Sequence, residues 1–289
     1  MSISVRAIEA SDLPAVGQFL HTHLNPRLSP AEWAASAVVE WPVPETNHGF
    51  LLEDDSEIVG AYLAFYSTRE IDGVAERFCN LGAWCVHEAY RAHSIRLVKA
   101  MISQRGYTFT DLSPSGTVVP LNERLHFEHL DTATALIPGL PYPTRPGRIR
   151  LLTDPQRIQA QLDDAERQIF RDHRHAGAAR HLVITRTEHG RTDHCYVIYR
   201  RDRRKNLPVF ASILYVSNRE VFAAGTRALA RHLLLRHRVL ATLAELRVVT
   251  HRPRPSKMLS APRRKMFKSP NLESDKIDYL YSELVCVAW

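Results

Sequence analysis

One basic segment in the first half of the chain has the residue types of an anion-binding site. It lies between an apolar strand predicted over Phe78–Val86 and a helix predicted over Ser94–Ile102. The first backbone N–H groups of a helix lack partners within the helix, and the helix dipole makes that end positive, so helix starts bind anions. Ser94 can cap this helix, and Arg91 and Arg96 add charge that suits a phosphate. The segment therefore predicts a phosphate-binding helix start.

The elements that would position this segment follow a definite order, read from hydrophobic periodicity and from capping and turn residues. The predicted order is β, α, α, β, β, β, α, β, α, β. Its members are a strand Ile3–Ile8, a helix after Ser11 and Asp12, a helix opened by Ser29 and Pro30, a hairpin of Gly49–Glu53 with Ile58–Tyr66, the strand and helix already named, a strand Tyr107–Leu112, a helix Val118–Leu125 and a strand Phe127–Leu130.

Four stretches in this order resemble the GNAT superfamily of acetyl-CoA-dependent N-acetyltransferases. They are Val5–Leu13 at the opening strand and helix, Ile58–Leu63 at the end of the hairpin, Trp84–Arg91 after the fourth strand, and Asn122–Phe127 near the end. The resemblance covers about residues 3 to 131, roughly one domain. It implies a mixed α/β fold and acyl transfer from acetyl-CoA, as co-substrate, to an amine.

The resemblance also implies which residues hold coenzyme A. The pantetheine arm would lie across the backbone of the fourth strand and the pyrophosphate at the helix start, with Asn122 from the last stretch nearby. The implied residues are Trp84, Cys85, Val86, Arg91, Ala92, His93, Ser94, Ile95, Arg96 and Asn122. Ser94 and Arg96 stand where the family places small residues, mainly glycine.

Acyl transfer to an amine needs a proton acceptor, because amines are protonated near neutral pH. The family often carries a glutamate on the fourth strand or a water held there. The strand Phe78–Val86 has no carboxylate. Glu76 lies just before it, and Asn80 can orient a water. Glu76 and Asn80 are therefore the candidate catalytic residues, and direct attack without an acyl-cysteine is expected.

The chain is long enough for about two domains, and the second half repeats the pattern of the first. Residues 132–150 hold four prolines and two glycines, Pro138, Gly139, Pro141, Pro143, Pro146 and Gly147, which predicts a linker. A helix Asp154–Phe170 follows. The later elements are strands His181–Arg186, Cys195–Tyr199 and Val209–Val216, a helix Ala223–Leu235 and strands Leu246–Thr250 and Tyr279–Val287. We expect α/β architecture with two tandem GNAT-like domains, residues 1–131 and 151–289.

Cysteine and histidine spacing argues against metal and disulfide sites. The four cysteines are far apart and form no CxxC pair. Asp172, His173, His175 and His181 match no standard zinc spacing. No metal is expected, and unpaired cysteines favour the cytoplasm. The N-terminus does not read as a signal peptide, and no apolar run is long enough to span a membrane.

A net charge of +7 and a pI near 9.4 favour acidic partners and leave alternatives to an enzyme open. The basic run 252–268 could clamp an acidic substrate or the 3′-phosphate of coenzyme A, or bind nucleic acid. It contains Arg252, Arg254, Lys257, Arg263, Arg264, Lys265 and Lys268. The alternatives are a catalytically inactive, GNAT-shaped binding module and a basic nucleic-acid-associated protein.

Overall fold

A computed structural model of the chain describes residues 3–43, 47–143, 148–204 and 207–289. The strands within these ranges are β1 Ile3–Ala7, β2 Gly49–Asp54, β3 Glu57–Ile71, β4 Val74–Val86, β5 Thr108–Asp111, β6 Glu128–His129, β7 Thr134–Pro138, β8 Ile149–Leu152, β9 Arg180–Glu188, β10 Arg191–Arg204, β11 Leu207–Val216, β12 Ala241–Glu245, β13 Lys257–Met258 and β14 Met266–Lys268. The helices are α1 Leu13–His23, α2 Pro30–Ser36, α3 Ser94–Ile102, α4 Val119–Arg124, α5 Pro155–Gln161, α6 Asp164–His173, α7 Arg219–His237, α8 Leu246–Val249 and α9 Glu283–Cys286.

The chain divides into two compact units. Unit 1 contains Met1–Leu130, Arg264–Ile277 and Tyr281–Trp289, and unit 2 contains Asp131–Arg263 and Asp278–Leu280. The first division lies one residue from the predicted boundary at 131. The predicted C-terminal domain of residues 151–289 needs correction, because two late segments of the chain belong to unit 1.

Among the described residues, unit 1 has a seven-stranded sheet in the order β1-β2-β3-β4-β5-β14-β6. Neighbouring strands are antiparallel except β4 and β5, which are parallel and joined through α3. The buried face of α3 carries Leu97, Val98 and Met101. These side chains pack in one core cluster with Cys79 of β4 and Phe109 of β5.

The described part of unit 2 has a seven-stranded sheet in the order β13-β7-β12-β11-β10-β9-β8. Here β11 and β12 are the parallel pair, and α7 joins them. Phe222, Leu229 and Leu233 of α7 pack in a core with Ile184 and Ile213. Both units thus contain a hairpin, a further antiparallel strand, a helix and a parallel strand, which confirms the predicted mixed α/β class.

The predicted linker over residues 132–150 is wrong where the chain forms strands. β7 pairs with β12 on one side and with β13 on the other, so it is an interior strand of unit 2. Pro138 is its last residue, where its missing N–H matters least. β8 begins at Ile149. Pro146 and Gly147 lie outside the described residues.

Three predicted elements of the second half also differ. The single helix Asp154–Phe170 is two helices, because Asp163 and Glu166 form a capping box that starts α6. The strand predicted at 246–250 lies earlier, as β12, and is followed by the short helix α8. The closing strand predicted at 279–287 is replaced by α9, which belongs to unit 1.

Candidate active site

The parallel strands at the centre of unit 1 pair over a short distance and then diverge. Their ladder runs from Phe78 opposite Thr108 to Asn80 opposite Thr110. Farther along, a bulge interrupts the pairing of β4 with β3, and Ala83 has a positive φ of 44°. A bulge twists a strand and redirects its backbone. The second half of β4 therefore faces an opening rather than β5.

A cavity of about 140 Å³ occupies this opening. Its walls include Leu24, Tyr62, Trp84 and Trp289, so they are largely apolar, while Asp111 contributes a carboxyl group. The rings of Tyr62 and Trp84 stack with centroids 5.2 Å apart and an angle of 18°. A largely apolar cavity with a few polar groups, here Asp111, Ser113 and Ser115, is the usual form of a ligand site.

The indole N–H of Trp84 is buried and has no hydrogen-bond partner. A buried donor without an acceptor costs about 1–3 kcal/mol. Because Trp84 lines the cavity, an acceptor atom of a bound molecule can satisfy this donor. The cavity therefore fits a ligand with a polar group among apolar surroundings.

Two buried carboxyl groups lie at this site. Asp111, at the end of β5, is 5% exposed and accepts a hydrogen bond from Asn122 Nδ2 at 2.8 Å. Burial raises the pKa of Asp111 to about 6. Glu283, at the start of α9, is fully buried and accepts a hydrogen bond from Ser113 Oγ at 2.9 Å. Burial, together with the charge of Asp111, raises the pKa of Glu283 to about 7.

Asn80, a predicted catalytic residue, is 2% exposed, and both its side-chain nitrogen and its side-chain oxygen have hydrogen-bond partners. Its Nδ2 donates to the side-chain oxygen of Thr110 at 3.0 Å, and its Oδ1 accepts from the backbone N–H of Glu283 at 2.8 Å. It thereby joins β4, β5 and α9. Glu76, the other predicted catalytic residue, lies four residues earlier and opposite Arg69, about 13 Å from Asn80 along the strand. Its role stays a prediction.

Among the residues predicted to bind coenzyme A, Trp84 lines the cavity, whereas Cys85 and Val86 continue β4 and are half-buried. Asn122 is 3% exposed, and it holds Asp111 from α4. Of these four residues, Trp84 is the one that lines the cavity, and the binding roles of all four remain predictions.

The predicted pyrophosphate segment forms a 3₁₀ turn, Glu88–His93, which leads directly into α3. Ala92 and Ile95 are exposed, and His93 and Ser94 are half-buried. The guanidinium of Arg91 is largely exposed and lies 3.5 Å from the Glu88 carboxylate. Arg96 donates to the backbone carbonyl of Ile3 at 2.9 Å. The segment is accessible, but both arginines already have intramolecular partners.

The corresponding helix of unit 2 begins earlier than the predicted helix Ala223–Leu235, at Arg219. Its N-cap is Asn218, whose Oδ1 accepts from the N–H of Val221 at 3.1 Å. Gly225 therefore lies inside α7 rather than at its start. A Cβ at Gly225 would lie 2.5 Å from Ile184 Cγ2, so this glycine permits close packing of α7 on β9.

Several residues of the basic run have partners within the protein. Arg263 pairs with Asp202 at 2.8 Å, Lys268 donates to the carbonyl of Leu125 at 2.9 Å, and Arg252 donates to that of Ser256 at 2.9 Å. Lys265 is 6% exposed. The ion pair of Arg263 with Asp202 offsets part of the charge that the run offers to an acidic partner. Within the described ranges, no helix is long and apolar enough to cross a membrane.

Comparison with solved structures identifies the fold. The chain has the fold of the GCN5-related N-acetyltransferases, as the sequence resemblance predicted. It is similar to a GCN5-related N-acetyltransferase from Anabaena variabilis, with a TM-score of 0.59, 10% identity and coverage of 92% of this chain and 72% of that one. A probable N-acyltransferase from Enterococcus faecalis gives a TM-score of 0.59, 14% identity and coverage of 96% and 75%. A GCN5-related N-acetyltransferase from Kribbella flavida gives a TM-score of 0.55 and 12% identity, with coverage of 92% of this chain and 71% of that one. The sequence matches no protein-family profile and no curated protein.

Sequence reasoning missed both buried carboxyl groups. Asp111 carried a readable signal, since it is the one carboxylate in the predicted strand Tyr107–Leu112. A charge in a buried strand is unfavourable unless it is paired or hydrogen-bonded. Glu283 carried none. It lies 172 residues from Asp111, and the predicted strand at 279–287 placed it in the wrong element.

Proposed function

We propose that unit 1 transfers an acyl group from coenzyme A to an amine. The observation that carries this proposal is the divergence of β4 from β5 at the bulge, which opens onto a cavity lined by Trp84 with its unpartnered N–H. The fold shared with GCN5-related N-acetyltransferases supports the same chemistry. The acceptor, a small molecule or a peptide, reaches the same cavity in this proposal.

The residues of unit 1 fit an acyl-pantetheine thioester. Backbone groups of β4 beyond the bulge can accept an extended arm in the manner of an added strand. Trp84 Nε1 can donate to a carbonyl oxygen, and the aromatic walls exclude water from the reacting atoms. Coenzyme A supplies an acyl group activated as a thioester, and the chain supplies the position of the acceptor amine relative to it.

The direct test is binding and turnover of acetyl-CoA by the full chain. Calorimetry should detect saturable binding, and a thiol reagent should detect coenzyme A released in the presence of amines. Binding without release would favour the alternative of a GNAT-shaped binding module, which the contacts of Arg96 with β1 and the serine at position 94 support. If the chain neither binds acetyl-CoA nor releases coenzyme A, the proposed function is contradicted.

We expect the double variant Arg91→Ala/Arg96→Ala to bind coenzyme A at least about tenfold more weakly, because each lost charged hydrogen bond costs about 1.5–3 kcal/mol. The loss should shrink as salt is added, since the helix start is exposed. The control is Arg105→Ala/Arg236→Ala, which removes the same charge from exposed positions elsewhere. Equal affinities of the two double variants would exclude a pyrophosphate site at residues 91–96.

We expect no stoichiometric acyl-enzyme after incubation with acetyl-CoA alone. Cys79 is fully buried, and burial raises the pKa of Cys85 despite the nearby charge of Arg91. Both features lower the amount of reactive thiolate. Intact-protein mass spectrometry checks this expectation. An acetyl adduct that disappears in Cys85→Ser would instead establish a two-step mechanism through that cysteine.

A further inference from the structure

We propose that Asp111 accepts the proton of the acceptor amine. The inference rests on the proposed function. It assigns the catalytic base to β5, whereas the candidates named from the sequence, Glu76 and Asn80, lie on β4.

The geometry favours Asp111 over the earlier candidates. Asp111 lines the cavity, whereas both ends of the Asn80 amide are engaged with Thr110 and Glu283. Asn122 holds the Oδ2 atom of Asp111 from α4. This contact fixes the carboxyl group at the end of β5, where the two strands have separated. A base must lie within reach of the proton that it accepts, and Asp111 meets that condition for a molecule in the cavity.

Glu283 is the second buried carboxyl group, and it does not line the cavity. It is fully buried, and its Cβ lies against Gly82 of β4, 3.1 Å from where a Cβ of that residue would be. Ser113 Oγ binds its Oε1, and its Oε2 has no hydrogen-bond partner. A buried carboxylate oxygen without a donor favours the protonated form, and a proton on Glu283 makes ionisation of Asp111 easier.

The surroundings of the pair are neutral near pH 7. The side chains that donate to the two carboxyl groups are Asn122 and Ser113, not lysine or arginine. The titratable groups near the pair are Tyr62 of β3, which interacts with both carboxyl groups, and Cys286 of α9, which interacts with Glu283. Burial raises the pKa of both Tyr62 and Cys286, so neither is charged at neutral pH. The raised pKa values of Asp111 and Glu283, about 6 and about 7, suit a base that works near neutrality.

The reaction balances with this single acceptor. The ammonium form of the acceptor gives one proton to the Asp111 carboxylate. The free amine nitrogen attacks the thioester carbonyl carbon, a C–N bond forms, and the C–S bond breaks. The nitrogen loses its second proton to the leaving thiolate, which departs as free coenzyme A thiol. Asp111 then releases its proton to solvent, so one amide, one thiol and one proton are produced.

The test compares wild type, Asp111→Asn and Glu283→Gln with acetyl-CoA and a set of primary amines, n-butylamine, benzylamine and phenethylamine, from pH 5 to 9. In Asp111→Asn we expect amide formation to fall about 100-fold or more, while acetyl-CoA binding, measured by calorimetry, is kept. In Glu283→Gln we expect both the plateau rate and the acid limb to be kept, because Glu283 has the higher pKa and still carries its proton while Asp111 ionises. The matched control is Asp202→Asn, which removes a buried carboxylate from unit 2.

The outcomes separate this inference from the proposed function. Asp111→Asn that binds acetyl-CoA and keeps the wild-type rate and pH profile would overturn the inference and leave the function standing. Wild type that binds acetyl-CoA but acylates none of the amines would also overturn it. Wild type that fails to bind acetyl-CoA would overturn the proposed function and this inference together.

Discussion

Replacing Gly49 by alanine should lower the free energy of unfolding of unit 1 by more than about 4 kcal/mol. Single substitutions reach losses of this size only where they have a specific structural cause, here a steric one. Gly49 opens β2 with φ of +111°, a backbone conformation that other residues rarely adopt. A Cβ there would lie 2.1 Å from the carbonyl oxygen of Tyr62 and 2.9 Å from the N–H of Ala64. Both are backbone atoms of β3, so relief requires movement of the central hairpin.

Gly73→Ala is the matched control. Gly73 also has a positive φ, +80°, but a Cβ there would meet nothing within 4 Å. Only the conformational penalty applies, about 1–2 kcal/mol. All four tryptophans of the chain belong to unit 1, so urea unfolding followed by tryptophan fluorescence reports this unit. Similar losses in the two variants would show that the contact with Tyr62 does not matter.

Glu283→Gln should change how the stability of unit 1 depends on pH. Burial raises the pKa of Glu283 from 4.5 to about 7, so the native state holds a proton that the unfolded chain has already lost. Stability falls with rising pH wherever the native state binds more protons. Between pH 5 and pH 8 wild type should therefore lose about 3 kcal/mol relative to Glu283→Gln.

Tryptophan-monitored unfolding at several pH values measures this difference. Asp12→Asn is the control, because the hydrogen bond from Arg6 lowers the pKa of Asp12. The contribution of Asp12 is present above its unfolded pKa and is lost only as the pH falls through the lower folded value. Its cost should thus be constant from pH 5 to pH 8. Parallel pH profiles for wild type and Glu283→Gln would show that Glu283 is ionised in the folded protein at all these pH values.

Local signals predicted most elements of unit 1. Ser29 and Glu32 form the capping box that starts α2, and β3 and β4 are long apolar strands joined by short polar turns. The errors fall where long-range pairing overrides local preference. β7 lies in a segment rich in proline, and its strand structure comes from pairing with β12, more than 100 residues away. The boundary between α5 and α6 was readable, since Asp163 and Glu166 have capping-box spacing.

The candidate site was only partly accessible to sequence reasoning, for a similar reason. The position of Trp84 follows from the strand that contains it. The pairing of Asp111 with Glu283 depends on where α9 lies, and no local pattern around Glu283 specifies that. The bulge at Ala83 is also a property of the β3–β4 register rather than of an alanine residue.

The strand order of unit 1 bears on how the protein emerges from the ribosome. β14 lies between β5 and β6, yet it is translated after nearly all of unit 2. Until then the nascent chain exposes the unpaired edge of β5, which is open to aggregation, and lacks α9 with Glu283. Unit 2 is in effect an insertion within the sequence of unit 1. A fragment ending at residue 131 would lack the interior strand β14, so the two units cannot be separated by one cut in the chain.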